Sequence, residues 1–265
     1  MSSYAVARRQ QSPAQRYRHS LWLLTRRDLR VRYSTSALGY LWSILDPLLM
    51  SAIFWFVFTQ VFHRGSGLEP YIVLLLSALL PWTWFNGAVS DCTRAFLREA
   101  KLIRSTMIPR SIWVNRLVLS KGIEFLAALP VLALFAIFSG AKVNIELALF
   151  PLAVVLQAVL TIGIGLIVAP LVVFFRDLER AIKLILRLLF YASPIVYGLG
   201  DLPDGFRFWA AFNPLSGIFS LYRAGFFPSE LNWFDVGVSA VMSLGFLALG
   251  IFVFGRLVRS VLKEI

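Results

Sequence analysis

Residues 147–175 read LALFPLAVVLQAVLTIGIGLIVAPLVVFF, 29 positions without a charged side chain. A helix rises about 1.5 Å per residue, so roughly 20 apolar residues cross the hydrocarbon layer of a bilayer. This run exceeds that length. Three more clear it: 37–62, with Asp46 as its one charge, then 71–90 and 236–255, both uncharged. Residues 112–139 make one more span, third in chain order, holding Lys121 and Glu124, which are three apart on one helical face and able to pair. Backbone in lipid must bond to itself, so such runs are helices. The chain of 265 residues is 58% hydrophobic and 15% charged, against about 25% charged in a soluble domain. Its mean hydropathy is +0.75. These values predict an all-α membrane protein with six transmembrane helices in one domain, 37–265, after a basic segment, 1–36.

The remaining span, fifth in chain order, is irregular. Arg180, Lys183 and Arg187 line one helical face, so only 188–199 is apolar, and 12 residues reach about 18 Å. Beyond it come Phe206, Phe208, Trp209, Phe212, Asn213-Pro214 and the apolar stretch 215–227. One reading is two short re-entrant helices between the last two spans, split at Asn213-Pro214 and dipping into the membrane from the far side. Irregular backbone survives there only under a protein or cavity cover. The other reading is an amphipathic surface hairpin.

Basic residues set the orientation. Of 26 lysines and arginines, 21 fall before the first span, between spans two and three, between four and five, or after six. Both termini are therefore expected on the cytoplasmic side of a multi-pass inner or plasma membrane protein. The net charge of +12 then follows from topology, and nucleic-acid binding is not needed to explain it. Near the N-terminus, Tyr17, Leu21, Leu24 and Val31 recur at helical spacing with Arg16, Arg26, Arg27 and Arg30 roughly opposite. That pattern suits an amphipathic interface helix, apolar side in lipid and arginines at anionic head groups. Gly39 would mark the turn into the first span. Residues 1–20 do not read as a cleavable signal.

Reaction chemistry is not legible. There is no Gly-x-x-x-x-Gly-Lys-Ser/Thr phosphate loop, Rossmann glycine fingerprint or His/Cys metal cluster. The single cysteine, Cys92, permits no intrachain disulfide. His19 and His63 fall on opposite membrane faces. Asp46 precedes Pro47 and reads as a cap on a proline kink. Residues 94–108 read as a short amphipathic helix ended by Pro109, and 176–180 as a second charged segment. Both suit either docking of a soluble partner or charge that only sets topology. A secondary, ion-coupled carrier of a lipid-linked or amphipathic substrate is the alternative class. A membrane enzyme would need a catalytic acid, and Asp177 is the best available.

Several motifs occur in order. They are Arg32-Tyr33-x-x-Ser36-x-Leu38-Gly39-x-Leu41-Trp42-x-x-Leu45-x-Pro47, Leu80-Pro81-Trp82-x-Trp84-Phe85, and Leu102-Ile103-Arg104 with Ile108-Pro109. Phe174-Phe175-Arg176-Asp177-Leu178 follows, then Ser193-Pro194-Ile195-x-Tyr197, Asn213-Pro214 and Tyr222-Arg223. Over 17–260 this ordered set resembles the permease subunits of polysaccharide ABC exporters, which move O-antigen, teichoic acid and capsule. Arginine outnumbers lysine 21 to 5, as in a GC-rich source. The chain looks most like the actinobacterial members that export lipid-linked galactan.

The resemblance implies a homodimeric channel with two ATP-binding cassette subunits docked below, which hold the ATP and magnesium. The permease itself would carry no catalytic residue, metal or cofactor. Contact with the ATPases would come from the interface helix, 16–33, and from Arg98, Glu99, Lys101, Leu102, Ile103, Arg104, Arg176, Asp177 and Glu179. An exit gate would involve Phe206, Trp209, Asn213, Pro214 and Tyr222. Sugars stack on aromatic faces, so Trp55, Phe58, Trp82, Trp84, Phe85, Tyr191 and Tyr197 are candidates for the glycan path. Trp82 and Trp84 also suit an interfacial aromatic belt. A polyprenyl diphosphate would seek arginine donors, and Arg30 and Arg32 are placed for its entry.

Overall fold

The computed structural model describes residues 12–34, 41–61 and 69–264. Every regular element among them is helical. Helix α1 spans Pro13–Ser34. Helix α2, Trp42–Trp55, runs on into a π-helical stretch, Phe56–Val61. Then come α3, Tyr71–Cys92, and the short α4, Ala95–Arg98, and α5, Ala100–Ser105. Helices α6, Ile112–Phe138, α7, Phe150–Phe174, and α8, Leu178–Ala192, follow. The last three are α9, Asp204–Ala211, α10, Ser216–Ala224, and α11, Trp233–Glu264.

Helix α3 is the axis of the bundle, with α2, α6, α7, α8 and α10 packed on it. Its leucines 74, 75 and 76 are wholly covered. In lipid there is no water to expel from between helices, so close packing must hold them. The longest contact, α7 on α11, uses glycine for this: a Cβ on Gly163 would stand 2.5 Å from the Leu247 nitrogen. Gln157 fills the middle of α7 and donates 2.7 Å to the Pro81 carbonyl.

Among the described residues, four helices are long and apolar enough to cross a membrane: Tyr71–Cys92, Ile112–Phe138, Ile145–Phe174 and Trp233–Glu264. These are the expected spans two, three, four and six. The first expected span, 37–62, is helical where described, but 35–40, with Gly39, and 62–68, with His63, lie outside the described residues. The expected apolar piece at 188–199 is not one helix. Helix α8 ends at Ala192 and Ser193 is extended at φ −97°, ψ 148°, because Pro194 disfavours helical geometry in the residue before it. At 15 residues, α8 reaches about 22 Å.

Two further expectations need correction. Residues 94–108 are not a single helix, because Glu99 breaks them at φ −114°, ψ 18°. On α1 the buried positions are Thr25 and Leu29, while Val31 is 63% exposed. The helix turns that face inward because Asp28 and Arg32, beside it, find charged partners in the bundle. The expected Lys121–Glu124 pair is present at 2.8 Å.

Candidate functional site

Charged side chains gather at the two ends of the bundle. At the end carrying α1, the chain leaves α3 through Asp91 and enters α6 at Ile112. Arg116, one turn into α6, is 3% exposed. It bonds Asp28 of α1 at 2.6 Å and Glu99 at 3.4 Å, and Arg27 of α1 bonds the same Glu99. Burial pushes the Asp28 carboxyl up, against the opposing pull of Arg116 and then Arg27. Arg32 bonds Asp91 at 2.7 Å and Glu124 at 3.1 Å. The α11 C-terminal half lies at this end too, with Phe254 and Phe96 ring centroids 6.1 Å apart.

The two charged loop segments meet here. Arg94, between α3 and α4, bonds Glu179 on the first turn of α8 at 2.6 Å, and Lys183 bonds the same carboxylate at 2.6 Å. The bonds from Arg94 and then Lys183 hold Glu179 down at about 2. Outside this knot Arg98, Lys101, Arg104, Arg176 and Asp177 are exposed. Leu102 is half-buried and Ile103 wholly buried, so these two fasten the loop instead of facing out. Met107 stands fully in the open.

Between α2, α3 and α8 runs a groove of about 580 Å³, lined at one end by Asp46, Asn86, Ser90, Lys183 and Arg187 and along its wall by Phe54, Trp82, Phe190 and Tyr191. The rings form one contiguous surface. Phe54 stacks on Phe190 at 5.9 Å, Trp82 meets Phe190 edge-on at 5.5 Å, and Tyr191 adjoins it at 5.2 Å. Of the expected aromatics, only Trp82 and Tyr191 line this groove. Trp55 is half-exposed elsewhere on α2, and the side chain of Phe58 lies outside the described residues. Trp84 and Phe85 are buried. Trp84 donates to the Val118 carbonyl at 3.0 Å and stacks on Phe125. Phe54, Phe190, Lys183 and Arg187 were not legible as groove residues, since only the crossing of three helices brings them together.

The far end holds the expected gate residues in two different settings. Phe206 and Trp209 on α9 are 68% and 71% exposed. Tyr222 on α10 is fully covered, edge-on to Phe150 at 4.9 Å. Asn213 breaks the chain between them: its Oδ1 accepts from Leu215 N–H and its Nδ2 donates 2.8 Å to Ser193 Oγ. Pro214 is half-buried beside it. Tyr197 is half-buried and its carbonyl accepts 2.9 Å from Arg223. Arg30 on α1 is exposed, whereas Arg32 is committed to Asp91 and Glu124.

Residues 19–227, from α1 to the turn after α10, match the family described as ABC-2 type transporter. The chain belongs to that family. This ABC-2 permease is 32% identical over 238 residues to the O-antigen export system permease protein RfbA of Klebsiella pneumoniae, covering 89% of this chain and 91% of that one. It is 29% identical over 217 residues to the protein of that name from Myxococcus xanthus, 81% of this chain and 83% of the other. To the polysialic acid transport protein KpsM of Escherichia coli it is 25% identical over 224 residues, 84% of each. The resemblance read from the motifs is to this same group. The matched part of the ABC-2 permease includes both charged loop segments, the aromatic groove and the far-end helices. It is an integral, multi-pass protein of the inner membrane.

Proposed function

We propose that the chain is the channel-forming permease of an ATP-driven exporter that moves a polyprenyl-diphosphate-linked polysaccharide, with cell-wall galactan the best candidate, to the outer face of the membrane. The observation that carries this reading is the groove between α2, α3 and α8. A continuous ring wall (Phe54, Trp82, Phe190, Tyr191) beside a polar end with two cations and one carboxylate (Asn86, Lys183, Arg187, Asp46) suits a glycan that slides on aromatic faces while its anionic anchor is held by basic side chains. Two copies would close these open grooves into one passage. The exposed cations of the loop 94–108, with Arg176 and Asp177, would receive two ATP-binding cassette subunits, which supply ATP hydrolysis. Six crossings fit this arrangement, α2 and α8 completing the four long helices and α9–α10 forming the re-entrant exit. Both termini would be cytoplasmic, in keeping with the basic residues on that side. Arg187, at the groove's end, makes a better diphosphate entry than Arg32, which holds Asp91 and Glu124, or Lys183, which holds Glu179.

The test is reconstitution. The chain, co-expressed with its ATP-binding subunit and placed in vesicles, is given lipid-linked galactan and ATP. ATP-dependent appearance of galactan on the opposite leaflet is expected, with loss on Tyr191→Ala or Arg187→Gln. Movement by the chain alone, driven by a proton gradient, would establish a secondary carrier in its place.

A further inference from the structure

We propose that Glu99 is a positioning residue: it pins the first cytoplasmic docking loop to α1 and α6, so that a displacement of the loop reaches both helices at once. The proposal rests on the reading that this loop docks an ATP-binding subunit.

Glu99 stands at the break between α4 and α5, with φ −114° and ψ 18°. A continuous helix over 94–108 would carry this carboxylate on the helix surface with the loop's other charges. Instead it points back into the bundle, where Arg27 of α1 and Arg116 of α6 bond to it. Asp28 of α1 bonds Arg116 at 2.6 Å and lies 3.5 Å from Arg27. Two arginines and two carboxylates thus close a ring across three elements. The neighbouring charges are accounted for: Arg32 holds Asp91 and Glu124, and Arg94 holds Glu179. Of the loop's cations, Arg98, Lys101 and Arg104 face outward. The loop therefore has a cationic outer side and a single inward carboxylate, seconded by the wholly buried Ile103.

Charge in such a ring is a poor source of stability, since desolvation offsets much of the attraction. It is a link all the same, because Glu99 is the loop's bond to both Arg27 and Arg116, and drawing it away leaves those two arginines to share Asp28. Ala95, Phe96 and Ile103 fasten the loop by apolar contact, which is non-directional and permits sliding. A loop held also by Glu99 must carry α1 and α6 with it, and α6 packs on α2 and α3, two walls of the groove.

The test uses the full complex in vesicles. With Glu99→Gln the ATP-binding subunit is expected to remain bound and to hydrolyse ATP within about two-fold of the parent, while glycan exported per ATP falls about ten-fold. A second variant, Arg27→Cys with Glu99→Cys, should show the same loss when reduced. It should regain export when the thiols are joined by a short bis-methanethiosulfonate, and lose it again with dithiothreitol. The native Cys92 is wholly buried and does not compete. Parent-like export per ATP from Glu99→Gln overturns the pin alone. Proportional loss of assembly, hydrolysis and export makes Glu99 merely structural and also overturns it. Failure of the parent chain to bind any ATP-binding subunit overturns the docking reading and the pin with it.

Discussion

Gly163 of α7 and Gly250 of α11 meet backbone to backbone: a Cβ on Gly250 would lie 2.4 Å from the Gly163 carbonyl oxygen. Neither helix can yield locally, because the atoms in the way are main chain. Gly163→Ala and Gly250→Ala are each expected to lower stability by about 1–3 kcal/mol. Gly245 and Gly255 of α11 face open space, so alanine there should be neutral or stabilising by up to about 1 kcal/mol. Thermal unfolding of the purified protein in one detergent compares the four. Equal effects at all four sites would refute the close contact.

Trp84 and Tyr191 separate packing from transport. Trp84→Ala empties a covered site and should cost about 3–5 kcal/mol, and Trp84→Phe, which loses the bond to Val118 and part of the packed ring system, about 1–3 kcal/mol. Tyr191 is 67% exposed, so Tyr191→Ala should change stability by less than about 0.5 kcal/mol while reducing export. Chemical denaturation beside a vesicle export assay gives both readouts. A stable Trp84→Ala or an unfolded Tyr191→Ala would reverse the assignment.

Arg223 grips the non-helical segment after α8. It donates to the Ile195 carbonyl at 2.8 Å and the Tyr197 carbonyl at 2.9 Å, and lies 3.8 Å from Glu230, which accepts from Leu199 N–H. Tyr71 takes the Val196 carbonyl between them. Arg223→Met strands Glu230 and two carbonyls, at a cost of about 3–5 kcal/mol. Adding Glu230→Gln should recover part of that loss by removing the unpaired charge. Hydrogen exchange at 195–199 reports it: faster exchange in the single variant, partly slowed in the double. Unchanged exchange in both would sink the idea.

Glu179 carries the pH dependence of the loop knot. Its folded value, about 2, lies below the ordinary 4.5 because Arg94 and Lys183 bond its ionised form. A depressed carboxylate stabilises the folded state above its unfolded pKa and stops doing so as pH falls through the folded one. The stability difference between the parent and Glu179→Gln should hold from neutral pH to about 5 and shrink toward pH 2. The group is near the surface, so salt should shrink it as well. Unfolding midpoints of the two proteins across that range decide it, and a difference that grows on acidification would contradict the pairing.

Length and apolarity alone located the long spans, since crossing a bilayer is a constraint on consecutive residues. The Lys121–Glu124 pair was equally legible, because three-residue spacing on a helix is a local fact. The helix break at Asn213-Pro214 was too, since both residues act on their own backbone. The break at Glu99 was not: nothing in 94–108 interrupts a helix until Arg27 and Arg116, far away in the chain, draw the carboxylate inward.

The same division runs through the site. The sequence by itself determined a helical membrane protein, its spans two, three, four and six, and the charged segments at one end, because these depend on runs and local spacing. Only the tertiary structure decided which aromatics are wall and which are core. Trp82 and Trp84 are two residues apart on α3, yet Trp82 lines the groove while Trp84 packs on Phe125 and the Val118 carbonyl. Composition treats them alike. Both are nearly covered, but a helix turns about 200° over two residues, so one packs toward α8 and the groove and the other toward α6.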